Sequence, residues 1–153
     1  MSGGSCSRPQ AGGDASRPSS AYGCAAIGRA EGLLGRCEQS IGHIKQAFAF
    51  SPRDPNSGIW YLNLAFAEYS RCRDHAAIEQ LKCAVYSGYP TYITYAFLAG
   101  AEAAKGNDAE AKLALAEARC LFPQLTIKWI LTEIVPPPSI VIDGLRKVGL
   151  PEE

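Results

Sequence analysis

The stretch that decides the fold is Thr91–Pro123, TYITYAFLAGAEAAKGNDAEAKLALAEARCLFP. A helical pattern runs to Lys105 and breaks at Gly106-Asn107. A second helical pattern follows from Asp108 and stops at Pro123, a residue that cannot continue a helix. Small residues stand at Ala99, Ala111 and Ala118. This is one helix–turn–helix unit.

The unit repeats. Shifted back by 34 residues, Ala99, Ala111 and Ala118 fall on Ala65, Ala77 and Ala84, and Tyr95, Leu98, Glu102 and Leu115 fall on Tyr61, Leu64, Glu68 and Leu81. One unit further back, after a three-residue insertion near Arg53–Asn56, the matches are Gly28, Ser40, Ala47, Cys24, Ile27, Glu31 and Ile44. The nine positions where paired helices must meet are all Gly, Ala or Ser. Helix axes approach to about 8–10 Å only where the contact residues leave room. The larger aliphatic residues (Ile27, Leu64, Leu98, Ile44, Leu81, Leu115) fill the space alongside. A fixed period of this kind predicts an all-α solenoid of antiparallel helix pairs.

The order aromatic, leucine, small residue, turn glycine, alanine, aliphatic, alanine, proline is carried in the last unit by Tyr95, Leu98, Ala99, Gly106, Ala111, Leu115, Ala118 and Pro123. It resembles the tetratricopeptide repeat (TPR). The middle unit departs at Cys72, where glycine is usual, and its proline comes one residue late, at Pro90. The first unit has Cys24 for the aromatic and Ser40 for an alanine. Glu31, Glu68 and Glu102 stand where the family usually has tyrosine.

The expected organisation is a disordered tail or linker stub over 1–20, three TPR-like pairs over 21–123 (21–52, 58–90 and 91–123), and a capping region over 124–153. The tail is rich in Ser, Gly and Pro and cannot offset its ordering entropy by burial. Helices are expected at Ala21–Leu34, Cys37–Phe50, Gly58–Arg71, Asp74–Ser87, Thr91–Lys105 and Asp108–Leu121. Asp74 and Asp108 suit N-cap positions, where a carboxylate accepts backbone N–H groups. Gln124–Ile134 reads as a helix that covers the last apolar face of the solenoid. Val135-Pro136-Pro137-Pro138 breaks it, and Ser139–Val148 forms a short final helix.

Three stretches, SPRDP at Ser51–Pro55, LTIKWI at Leu125–Ile130 and DGLRKVGLPE at Asp143–Glu152, carry a second resemblance. They are similar to the C-terminal region of bacterial multidomain proteins with a class III adenylate/guanylate cyclase domain, or a winged-helix DNA-binding domain, ahead of their repeats. The likeness covers about Ala21 to Glu152 and departs at Ile140-Val141-Ile142, where the family has a polar helix. It implies a detached regulatory segment of a cyclase or transcriptional regulator; neither head is present in these residues.

Composition narrows the function. Fifteen basic and 15 acidic side chains give a net charge of zero, which argues against a general nucleic-acid binder. No run of about 18 apolar residues predicts a membrane span, and the first residues lack the apolar core of a signal peptide, so the expected location is the cytoplasm. The six cysteines show no C-x-x-C spacing, which leaves a zinc site unsupported and reads as free thiols packed like small apolar residues. His43 and His75 have no partner at ligand or catalytic spacing. Glu31, Glu68 and Glu102 form a one-per-repeat row that reads as solvated or paired with nearby Arg29, Arg71 and Lys105; a carboxylate ladder for a cation or a basic peptide is the alternative. Gly3-Gly4 and Gly12-Gly13 do not lie between a strand and a helix, so no phosphate loop is expected.

What remains is a surface. In the family the first helix of each pair lines a concave groove. By that resemblance the groove residues are Tyr22, Arg29, Ile59, Asn63, Phe66, Tyr69, Ile93 and Phe97. Aromatic anchors beside Asn and Arg suit capture of an extended or helical peptide. The expectation is therefore a non-enzymatic interaction module that needs no cofactor and no metal. Its partner would be a protein or peptide, or a missing domain of the same parent. A homo-oligomerisation role through Trp129 and Ile140–Ile142 is a further alternative.

Overall fold

A computed structural model of the chain describes residues 18–134 and 137–153. Among them eight helices occur: α1 (Pro18–Leu33), α2 (Cys37–Phe50), α3 (Ser57–Ser70), α4 (Asp74–Tyr86), α5 (Tyr92–Ala104), α6 (Asp108–Leu121), α7 (Ile127–Glu133) and α8 (Ser139–Lys147). No strand occurs among the described residues. The helices α1–α2, α3–α4 and α5–α6 form three pairs, and each pair packs on the next through α2 against α3 and α4 against α5. The all-α helix-pair solenoid expected from the period is what forms. Its first helix begins at Pro18, so the tail expected over 1–20 gives up three residues to α1; its remainder lies outside the described residues.

Close approach within each pair falls where the small residues recur. Ala65, Ala77, Ala84, Ala99, Ala111 and Ala118 are fully buried, as are Ser40 and Ala47. At Gly28 a Cβ would meet Ile44 Cγ1 at 2.6 Å and the Ser40 carbonyl at 3.0 Å, so even alanine is too large there. The aliphatic partners divide by position in the stack. Leu64 is buried against the preceding pair, whereas Ile27, in the first pair, is 38 % exposed.

The first helix of every pair ends in the same way. Gly35, Cys72 and Gly106 adopt positive φ (76°, 55° and 87°). The next residue donates its N–H back to the glutamate carbonyl, Arg36 to Glu31 at 2.8 Å, Arg73 to Glu68 at 2.9 Å and Asn107 to Glu102 at 2.9 Å. This is the Schellman arrangement, which reverses the chain by placing one residue in the left-handed region. The recurrent glutamates thus mark the helix ends structurally.

Capping departs from expectation. Asp74 and Asp108 are the first helical residues; Arg73 and Asn107 occupy the N-cap positions, without side-chain caps. Thr91 and Thr126 are the side-chain caps, accepting N–H groups from Thr94 at 3.3 Å and Trp129 at 3.1 Å. Because Thr126 caps it, α7 starts at Ile127 and is shorter than Gln124–Ile134.

The core has two parts. Trp60, 2 % exposed, anchors the first, edge-on to Tyr22 and Phe48. The second joins the later pairs to the C-terminal cap through Leu125, Ile127, Ile130, Val141, Leu145 and Leu150. Tyr92, Phe122 and Trp129 form an aromatic triangle at the start of α5. The last residues pair with the beginning of α7, Ile127 N–H to the Pro151 carbonyl and Lys128 N–H to the Glu152 carbonyl. No described helix is long and apolar enough to cross a membrane.

Candidate functional site, a groove along α3

α3 forms the floor of an open groove of about 680 Å³. Ile59, Leu62, Asn63, Phe66 and Tyr69 line it from α3, Arg29, Gly32 and Leu33 from α1, Tyr89 from the turn between α4 and α5, and Ile93 from α5. The opposite wall comes from the described residues of the strap between α7 and α8, Ile134, Pro137 and Pro138, and from Ile140 of α8. The lining is mostly apolar with a few polar groups, the composition of a binding cleft.

Six of the eight expected groove residues, Arg29, Ile59, Asn63, Phe66, Tyr69 and Ile93, lie together in this lining. Tyr22 and Phe97 do not. The Tyr22 phenol turns to the loop between the first two pairs, where it donates to Asp54 Oδ1 at 3.4 Å and accepts from Asn56 Nδ2 at 2.6 Å. That loop holds the inserted residues, so the first pair has a polar partner for Tyr22 that the later pairs lack. Phe97 is completely buried and stands edge-on to Phe66 with centroids 5.0 Å apart. It supports the groove from behind.

Phe97 is covered because α8 packs along α5. Val141 and Gly144 meet Gly100, and Lys147 donates to the Ala103 carbonyl at 3.1 Å and pairs with Asp108 at 3.1 Å. These contacts step forward together in both helices, so α8 runs in the same direction as α5. The face that stays open on α1 and α3 is thereby filled on α5. The strap borders the groove and α8 covers the α5 face, two placements that sequence reasoning missed. The proline run signals an extended connection, but no local pattern says which face it crosses.

The charged groups of the repeat sort by burial. Glu102 is 2 % exposed; Lys82 Nζ lies 3.0 Å from its Oε1 and Asn107 Nδ2 donates to its Oε2 at 2.6 Å. Burial alone would raise its pKa, but the hydrogen bonds from Asn107 and Lys82, with the charges of Lys82 and Lys105, outweigh burial and hold it below 4.5. Glu31 pairs with Arg36 at 3.3 Å, and Glu68 lies 3.9 Å from Arg71 and 4.0 Å from Arg73. The glutamates are therefore paired, as the first of the two alternatives has it, though Glu31 pairs with Arg36 and not Arg29, and Glu102 with Lys82 and not Lys105. Arg29 makes no ion pair among the described residues and projects at the groove. Burial, then the charges of Asp74 and Glu102, raise the Tyr69 phenol well above its usual range, so it stays protonated.

Among the described residues, no group of three or more His, Cys, Asp or Glu could hold a metal ion. His75 Nδ1 lies 3.1 Å from Lys105 Nζ on the surface. Cys37, Cys72, Cys83 and Cys120 are free thiols.

No family model matches the chain, and no curated protein is similar to it.

Proposed function

We propose that this chain is a non-catalytic interaction module, resembling a tetratricopeptide array, that captures a peptide segment of a partner protein in the groove along α3. The observation that carries this reading is the convergence of Ile59, Phe66 and Ile93 with Asn63 and Arg29 on one open cleft. Apolar anchors supply affinity, while a small number of polar groups set register and orientation. The test is binding of the purified chain to an array of synthetic peptides, repeated with Phe66→Asp and with the surface change Tyr86→Ala. Peptides retained by Tyr86→Ala and lost by Phe66→Asp support the groove; peptides lost by neither place binding elsewhere and overturn it. Circular dichroism checks that the altered chains remain helical.

A second reading is favoured by α8. The chain already packs one of its own segments on the α5 face, so the open part of the same face could receive another domain of a longer parent, such as a cyclase or transcriptional regulator. An array that binds no peptide at all would favour this reading over the first.

A further inference from the structure

The register of the three pairs shows what kind of segment the open groove accepts, given that it accepts a peptide at all. Counted from the shared helix ends at Glu31, Glu68 and Glu102, Arg29, Phe66 and Gly100 are equivalent positions, as are Asn63 and Phe97. At Gly100 the face holds a helix. Any Cβ on Gly100 would collide with Val141, and any on Gly144 with the Gly100 backbone, so α8 seats on α5 by direct backbone contact.

The equivalent positions on α3 and α1 carry a phenylalanine and an arginine. The Phe66 ring is braced by Phe97, and a second helix cannot come as close to α3 as α8 comes to α5. A thinner chain fits. Two residues that border the cleft have this form: Ile134 (φ −114°, ψ 115°) and Pro138 (φ −61°, ψ 130°) are both extended. An extended segment brings unpaired backbone N–H and C=O groups, which a helix satisfies internally. The Asn63 side-chain amide, unbonded among the described residues, can donate and accept. Arg29 is the cation among the described lining residues, and it has no carboxylate partner among the described residues.

We infer that the groove takes an extended apolar peptide with one acidic side chain opposite Arg29, and that it excludes helical segments. This inference rests on the peptide-capture reading. Asp74 and Glu133, both in the lining, oppose further acidic residues elsewhere along the bound segment.

Fluorescence anisotropy on the full chain tests it with two probe sets of matched apolar composition. One set contains prolines that enforce an extended backbone, with a single glutamate moved through every position. The other consists of hydrocarbon-stapled helices carrying the same glutamate scan. The expected result is binding of the extended set, tightest at one glutamate position. Replacing that glutamate by glutamine weakens binding roughly tenfold in the native chain, and Arg29→Ala abolishes the difference. Phe66→Ala, which clears the equivalent of Gly100, admits the stapled helices. Binding of stapled helices and not of extended probes to the native chain overturns the inference while peptide capture stands. Extended binding insensitive to both glutamate and Arg29 overturns the acidic assignment. Binding of neither set removes the peptide-capture reading as well. Self-association abolished by Phe66→Asp, read by light scattering, makes a second copy the occupant and overturns the proposal.

Discussion

Gly100 and Gly144 touch through their backbones where α5 and α8 run side by side, and this contact closes the third repeat's face. A side chain at either position has nowhere to go, because the atoms it meets are backbone. Gly144→Ala and Gly100→Ala should each destabilise the chain by about 1–3 kcal/mol, the usual cost of overpacking, or more if α8 is displaced. Gly42→Ala in α2 meets nothing within 4 Å and should be neutral or stabilising by up to about 1 kcal/mol. Urea denaturation of the three variants checks the contrast, and equal effects would refute the contact.

Cys72 is the non-glycine residue held at positive φ among the described residues, at the turn where the other pairs have Gly35 and Gly106. Left-handed backbone costs an L-residue about 1–2 kcal/mol. Cys72→Gly should therefore raise the unfolding free energy by roughly 1 kcal/mol, and Gly106→Ala should lower it by a similar amount. The thiol is exposed and free, so little packing is lost. Thermal melts would detect either change.

Glu102 ties the second pair to the third through Lys82. Its carboxyl titrates below 4.5 in the folded chain. As pH falls from neutrality past 4.5, the unfolded chain binds the proton first, and the stability due to Glu102 is lost as pH drops through the folded value. Glu102→Gln should cost about 1–3 kcal/mol at pH 7, where it breaks a buried charge-assisted pair. The difference between the two chains should shrink on acidification below pH 4.5. A gap that is constant from pH 7 to pH 3 would show that the charge contributes nothing.

Trp60 holds the first pair to α3 with Phe48 and Tyr22 against its ring. Trp60→Ala should cost about 3–5 kcal/mol by leaving a large cavity. Because the second core lies on the far side of α3, hydrogen exchange should show α1 and α2 losing protection before α5 and α6.

The repeat was legible because packing dictates its residues one by one. Ala77, Ala84, Ala111 and Ala118 must be small for two helices to meet, and that requirement returns every unit. The groove residues followed only from the resemblance to the repeat family; of them Arg29, Ile59, Asn63, Phe66, Tyr69 and Ile93 lie along one cleft. Tyr22, equivalent to Ile59 and Ile93, and Phe97, equivalent to Asn63, were lost from it, because a loop insertion offered Tyr22 a polar partner and α8 covered Phe97. Neither effect is visible in the local pattern of the residue concerned. The N-caps illustrate a smaller version of the same problem. Asp74 and Asp108 sit one residue inside their helices, a shift that hydrophobic periodicity does not resolve.

By itself the sequence determined the all-α class, the three pairs, the small-residue contacts and the proline break after α7, since each follows from short-range sterics and a repeating period. The tertiary structure alone decided that α8 returns to lie on α5, that the strap walls the groove, and that Glu102 is buried beside Lys82. These depend on residues far apart in the chain, such as Gly100 and Gly144, whose meeting is favourable only once both helices exist and their bare backbones can come together.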